Sequence, residues 1–166
     1  LGLGSDCLEP LGGKTPGKVD ADVLQAALAQ APDAPTIVIL NAGDLNIGAC
    51  DDFEVLCPIS QASGAWVHVD GAFGLWANAS PRLAPLVKGI ALADSWATDG
   101  HKWLNTPYDC GMAITRDPQA HSAAMRMTAA YLSSGGPVRD PMDFTPEWSR
   151  HARSLPKLAA LLELGR

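Results

Sequence analysis

TIVILNAGDLNIGACDDFEVLCPISQASGAWVHVD runs from Thr36 to Asp70, and its reading decides the fold. It opens on a β-branched run, Thr36 to Leu40, of the kind expected of a parallel strand buried on both faces. Asn41-Ala42-Gly43 follows at its carboxyl end. Asp51 or Asp52 then caps a helix over Phe53 to Ser63, closed by Gly64. Val67 to Asp70 is the next strand. Strand, helix and strand in that order predict a right-handed βαβ crossover between parallel neighbours. Ligands of open α/β sheets bind outside the carboxyl ends of the strands, which is where Asp70 sits, just before Gly71.

Upstream, residues 1–19 are rich in glycine and proline and read as loop, with a short strand near Cys7 to Leu11. Asp20 caps an amphipathic helix over Ala21 to Gln30, where Val23, Leu24, Ala27 and Leu28 fall at helical spacing. Pro32 and Pro35 end it. Downstream, Pro81 suits the first turn of a short helix over Arg82 to Val87. Asp94 to Ala97 is a third strand, which delivers Asp99, His101 and Lys102 into a loop. Cys110 to Thr115 is a fourth, antiparallel because its link is too short for a crossover helix. Pro118 to Thr128 reads as a helix. Tyr131 to Thr145 lacks periodicity, as functional lids often do. Pro146 starts a last helix over Glu147 to Leu164, with Trp148, Leu155, Leu158, Leu161 and Leu162 as its apolar face. The fold class is α/β, a mostly parallel sheet with flanking helices.

Of 166 residues, 47% are hydrophobic and 18% charged, which suits a packed core rather than disorder. Net charge is −6 and nothing basic clusters, so nucleic acid is not an expected partner. No apolar run reaches the roughly 18 residues a membrane helix needs. Cys7, Cys50, Cys57 and Cys110 match no zinc spacing, and no metal site is expected. They read as reduced thiols in a cytoplasmic protein, with Cys57 a small core residue.

Chemistry concentrates in Asp94 to Cys110, DSWATDGHKWLNTPYDC. Lys102 is flanked by His101 and Trp103 between two apolar runs. A lysine amine does covalent chemistry when desolvation or a neighbouring cation lowers its pKa. The plainer reading is a lysine that points at water. For Asp70 the plainer reading is an Asx-turn before Gly71.

Two motifs together, H-V-D-x-A-F at His68 to Phe73 and D-S-x-x-x-D-x-H-K-W at Asp94 to Trp103, resemble the pyridoxal-phosphate-dependent amino acid decarboxylases of the aspartate-aminotransferase fold. The resemblance runs from about Asn41 to Tyr131 and more weakly to Arg166. It implies that residues 1–166 are part of a fold-type-I large cofactor domain, its second half, within a longer polypeptide that forms homodimers. The implied activity is decarboxylation of an L-amino acid, with pyridoxal 5'-phosphate as cofactor. Other outcomes on the same fold stay open: an aminotransferase, a sulfur lyase, an aldehyde-forming variant, or a fragment with no activity of its own.

By position, the resemblance makes Lys102 the residue whose amine forms a Schiff base with the cofactor aldehyde. It sets the Asp70 carboxylate at the pyridine nitrogen and packs Ala72 under the ring. His101 is placed for the phosphate or the substrate carboxylate. Asp99 stands where asparagine is common, and a carboxylate beside a phosphate is unfavourable unless it pairs with a cation. Asn46, in the loop Asn41 to Gly48, is a polar contact. His68 is either a partner of Asp70 or a satisfied histidine with no role. Arg150 and Arg153 either match family arginines or are solvated helix cations. Some members carry on the mobile loop a tyrosine that protonates the product; Leu132 to Thr145 has none, and Tyr131 at its edge reads as structural.

Overall fold

The computed structural model describes residues 4–30, 32–127, 140–147 and 149–165. Four strands form one sheet in the order β1-β2-β3-β4. They are β1 (Ile37–Asn41), β2 (Trp66–Asp70), β3 (Ser95–Asp99) and β4 (Gly111–Thr115). β1, β2 and β3 are parallel, and β4 returns antiparallel to β3. The helices are α1 (Ala21–Gln30), α2 (Phe53–Ala62), α3 (Pro118–Met125) and α4 (Ser154–Leu164). The expected α/β architecture with its βαβ crossover is present.

Packing covers one face of the sheet. Val38 and Leu40 of β1 and Val67 and Val69 of β2 join Leu24 of α1 and Phe53, Leu56 and Cys57 of α2 in a single core. Phe53, Leu40, Cys57, Val67 and Val69 are wholly inaccessible, which makes this layer the main source of hydrophobic stabilisation. Alternation sends the other side chains to the opposite face. There Ile37 and Ile39 remain 61% and 58% exposed. The expectation that β1 is buried on both faces is therefore corrected. The register puts Ile37, Ile39, Trp66, His68, Asp70, Ser95, Ala97 and Asp99 on this open face.

Asp52 caps α2, accepting from the Val55 N–H. Asp51 has a different use. Its carboxylate is buried and accepts from Asn41 N–H at 2.7 Å and Val19 N–H at 2.9 Å. The expected strand at Cys7 to Leu11 is not formed; Ser5–Cys7 makes a 3-10 turn instead. The expected helix over Arg82 to Val87 is a 3-10 turn over Ala84–Val87.

α4 starts at Ser154 rather than Glu147. Pro156 explains this. A helix begun at Glu147 would hold that proline in its interior, where it lacks an N–H and clashes with the preceding turn; begun at Ser154, it lies in the tolerant first turn. Leu155, Leu158 and Leu162 of this helix are exposed. The stretch from Tyr131 to residue 139, Thr128 and Trp148 lie outside the described residues. Pro141–Phe144 forms a 3-10 turn capped by Asp140. All four cysteines are unpaired, and Cys57 is in the core as expected. Among the described residues no helix is long and apolar enough to cross a membrane.

Candidate functional site

Three strand ends converge at the carboxyl edge of the sheet, and small residues let their loops meet there. Gly74 donates its N–H to Ala42 O at 2.8 Å, and a Cβ on Gly74 would lie 2.4 Å from that oxygen. Gly43 adopts φ +87°, which a side chain would strain. A Cβ on Gly100 would come within 2.9 Å of Cys110 Sγ and 3.0 Å of Thr106 Oγ1. The Thr106 hydroxyl is buried and unpaired among the described residues.

Asp70 closes β2, and its Oδ1 accepts the Ala72 N–H at 3.1 Å. The Asx-turn therefore exists. It occupies one carboxylate oxygen and orients an exposed group at the strand end. Ala72 follows directly in the turn. Asp99 is the last residue of β3 rather than part of the following loop. Its Oδ2 pairs with Lys102 Nζ at 2.8 Å, and its Oδ1 lies 3.9 Å from His101 Nε2. The cation that a carboxylate requires at this position is thus Lys102 itself.

Lys102 is not a lysine pointing freely at water. Its side chain is 26% exposed, and Nζ sits 4.1 Å from the centroid of the Phe73 ring. His101 is held from two sides. Its Nδ1 accepts the Cys110 N–H at 3.1 Å, and its ring stacks on Tyr108 at 3.9 Å. An Nδ1 that accepts leaves the proton of a neutral ring on Nε2, the nitrogen that faces Asp99.

His68 lies on the same face as Asp70, one residue pair away across from Ser95. Burial pulls its pKa below 6.5, and the Asp70 charge opposes the shift. Asn46 is exposed, and its backbone N–H is bound to Asp44 Oδ1 in a local turn. The structure brings Lys102, His101, Asp99, Asp70, Ala72 and His68 to one edge, and leaves Asn46 on the surface of the neighbouring loop. Arg153 is not a solvated helix cation: it bridges Asp109 at 3.0 Å and Glu147 at 2.8 Å. Arg150 is exposed.

Several residues of the site escaped the sequence reading. Phe73 and Tyr108 carried a signal, since each is an aromatic within a few residues of a motif. Asp94 and Ser95 belong to the quoted motif, and their uses emerge only from strand pairing. Asp94 Oδ2 accepts the Val67 N–H at 2.8 Å, which locks the start of β3 to β2. Arg153 lies 44 positions from Asp109, a separation no local pattern announces. A cleft of about 710 Å³ lies elsewhere, between residues 7–19, α1 and β1; neither Lys102 nor Asp70 lines it.

Asp70 and Asp99, the latter paired with the Lys102 amine, stand at the carboxyl ends of adjacent parallel strands, where open α/β proteins bind their ligands. Comparison with known proteins specifies the class. The model of the pyridoxal-dependent decarboxylase conserved domain matches residues 14–166. An aromatic-L-amino-acid decarboxylase of Bacillus atrophaeus is 39% identical over 98 residues, covering 59% of this chain and 20% of the relative. A phenylacetaldehyde synthase of Arabidopsis thaliana is 30% identical over 148 residues, covering 85% of this chain and 30% of the relative. The crystal structure of Oryza sativa TDC with PLP and tryptamine superimposes with a TM-score of 0.84 at 28% identity, covering 94% of this chain and 33% of that one.

The chain belongs to the pyridoxal-dependent decarboxylase family. It spans a fifth to about a third of the length of these three relatives. The group the family implies is pyridoxal 5'-phosphate, and the residues present suit it: a partly shielded amine, an oriented carboxylate, a small residue beside that carboxylate, and an imidazole next to the amine.

Proposed function

We propose that this chain supplies the amine-bearing part of the site of a pyridoxal-phosphate-dependent decarboxylase acting on an L-amino acid. One observation carries the reading. Asp70 and Asp99, the latter paired with Lys102, sit at the carboxyl ends of neighbouring parallel strands and on the same face. Lys102 would hold the cofactor through its amine. The Asp70 carboxylate would serve the pyridine nitrogen, its negative charge favouring the protonated form. Ala72 would leave room for the ring. When bound, the cofactor supplies an electron sink for the pair left as carbon dioxide departs.

His101, fixed by Cys110 and Tyr108, offers its Nε2 proton to the phosphate or the substrate carboxylate. Asp99 serves as the counter-ion of Lys102 rather than as a phosphate ligand, since its oxygens already face two nitrogen groups. His68 stands beside Asp70. Asn46 is kept as a polar contact from the loop before α2. Residues 1–166 are part of the large cofactor domain of a cytoplasmic homodimer whose other segments complete the site.

The test is borohydride reduction of the full-length protein with cofactor, followed by peptide mass analysis. The label is expected on Lys102 and absent in Lys102→Ala. A label on another residue, or an unchanged absorbance spectrum in the variant, overturns the reading. The same titration on residues 1–166 alone shows how much of the pocket they hold.

A second outcome, an aldehyde in place of an amine, draws support from the match to a phenylacetaldehyde synthase and from the absence of tyrosine in Leu132 to Thr145. Product analysis separates the two, because carbon dioxide accompanied by an amine is expected of the decarboxylase alone.

A further inference from the structure

The open face of β2 and β3 carries a chain of polar contacts that the reading above does not use. Trp66 Nε1 lies 2.8 Å from Ser95 Oγ, and Ser95 Oγ lies 2.8 Å from His68 Nδ1. The register makes this possible. His68 and Ser95 are direct partners across the parallel pair, and Trp66 is two residues before His68 on the same face.

The direction of each bond follows from chemistry. An indole N–H only donates, so Ser95 Oγ accepts from Trp66. Ser95 is 7% exposed, and its hydroxyl proton needs an acceptor. Among the described residues, the remaining polar partner of that hydroxyl is His68 Nδ1. The hydroxyl therefore donates to Nδ1, which must be bare. The proton of the neutral ring then sits on Nε2.

We propose that Ser95, oriented by the Trp66 indole, is a positioning residue that fixes His68 as the Nε2–H tautomer, so that a neutral ring with its proton outward stands beside Asp70. The tautomer stands on the hydrogen bonds alone. Its purpose rests on the proposed role of Asp70. A neutral ring two residues along the same face adds no positive charge to the surroundings of that carboxylate and leaves it anionic. A cationic imidazolium would instead offer Asp70 a competing positive charge, weakening its hold on a protonated pyridine nitrogen. Burial lowers the basicity of His68, in keeping with a neutral ring.

The experiment is long-range proton–nitrogen correlation NMR on the full-length protein labelled with nitrogen-15 histidine. His68, His101, His121 and His151 are the histidines of this chain, and the His68 signals are assigned by their loss in His68→Gln. At neutral pH the wild type is expected to show His68 with the Nε2–H form favoured about fivefold more strongly than in an unconstrained histidine, the bias one ordinary hydrogen bond adds to the ring's own preference for that form. In Ser95→Ala the ratio falls by about fivefold, back to that of an unconstrained histidine. Ser95→Thr, which keeps the hydroxyl, restores the bias. Trp66→Phe reduces it while leaving Ser95 in place, and serves as the second variant should Ser95→Ala fail to fold.

A wild-type proton on Nδ1, a doubly protonated ring at neutral pH, or a tautomer ratio unmoved in Ser95→Ala and Trp66→Phe overturns the proposal. A second arm measures the pH dependence of the cofactor's absorbance in the loaded protein. It is expected to shift in Ser95→Ala and return in Ser95→Thr. Loss of the tautomer bias with no shift of the spectrum rejects the link to Asp70. Failure of the wild type to bind cofactor rejects the function instead, and leaves the NMR result standing.

Discussion

Replacing Asp51 separates two neighbouring carboxylates that the sequence offers as equivalents. Asp51 Oδ2 accepts from Asn41 N–H at 2.7 Å and Oδ1 from Val19 N–H at 2.9 Å, while the Asp51 backbone N–H donates to Asn41 O. The residue clasps the end of β1 and ties it to the segment before α1. Asp51→Asn keeps the shape but turns one acceptor into an N–H₂ group, which then faces a backbone donor. A hydrogen bond to a charged group contributes about 1.5–3 kcal/mol, so the amide is expected to destabilise by about 2 kcal/mol. Asp51→Ala removes both bonds and leaves two part-buried donors without their acceptor, for a loss of about 3 kcal/mol. Asp52→Ala removes only an exposed cap, with its 3.3 Å bond, and should cost about 1 kcal/mol. Urea denaturation followed by tryptophan fluorescence gives the three values. Amide hydrogen exchange gives the location: Asn41 and Val19 lose protection in Asp51→Ala and keep it in Asp52→Ala. An Asp51→Asn stability within about 0.5 kcal/mol of wild type, or an Asp52→Ala loss as large as that of Asp51→Ala, would refute the assignment.

Gly74→Ala sets a Cβ against the backbone of Ala42 and Gly43 and should destabilise by about 1–3 kcal/mol, visible as a lower urea midpoint; a neutral result would show that the turn after β2 can shift. The folded-state pKa of His68 is depressed, so below its ordinary value of 6.5 the unfolded chain binds the extra proton first. Stability should therefore fall as pH drops from 6.5 toward the folded value, and His68→Gln should flatten that part of the stability–pH curve; a slope unchanged in the variant rejects the shift. Burial pushes the Cys57 thiol up to about 11, whereas Cys7 is exposed. A thiol reagent at pH 8 is expected to label Cys7 fast and Cys57 only on unfolding, with mass spectrometry reporting the order.

The crossover from β1 to β2 was legible because its signals are local: a β-branched run, a capped helix at 3.6-residue spacing, and a strand ending in aspartate. The residues proposed for the site were legible for a related reason. Lys102, His101 and Asp99 are neighbours in sequence, and strand order does the rest by setting Asp70 alongside. What failed was information that depends on the opposite surface. Thr36 to Leu40 has the same composition whether one layer or two covers it, so the exposure of Ile37 and Ile39 could not be read from the run itself. The start of α4 was legible in principle. Pro156 excludes an interior position, and the apolar spacing of the leucines outweighed it.

Asp94 and Ser95 show why a motif can be recognised without its physics being known. In the fold Asp94 accepts the Val67 N–H, and Ser95 stands between an indole and an imidazole. Both therefore align β3 with β2 at the start of β3, with Ser95 opposite His68. A sheet transmits register along its length, because slipping one strand by a residue would turn its side chains to the other face. Fixing the first residues of β3 against β2 thus fixes where Asp99 lies relative to Asp70, four residues further on. One segment thus carries both a structural lock and the amine proposed to hold the cofactor. The chemistry asked of Lys102 depends on a separation set by the pairing of these two strands, and the residues that set that pairing precede the lysine by only seven or eight positions.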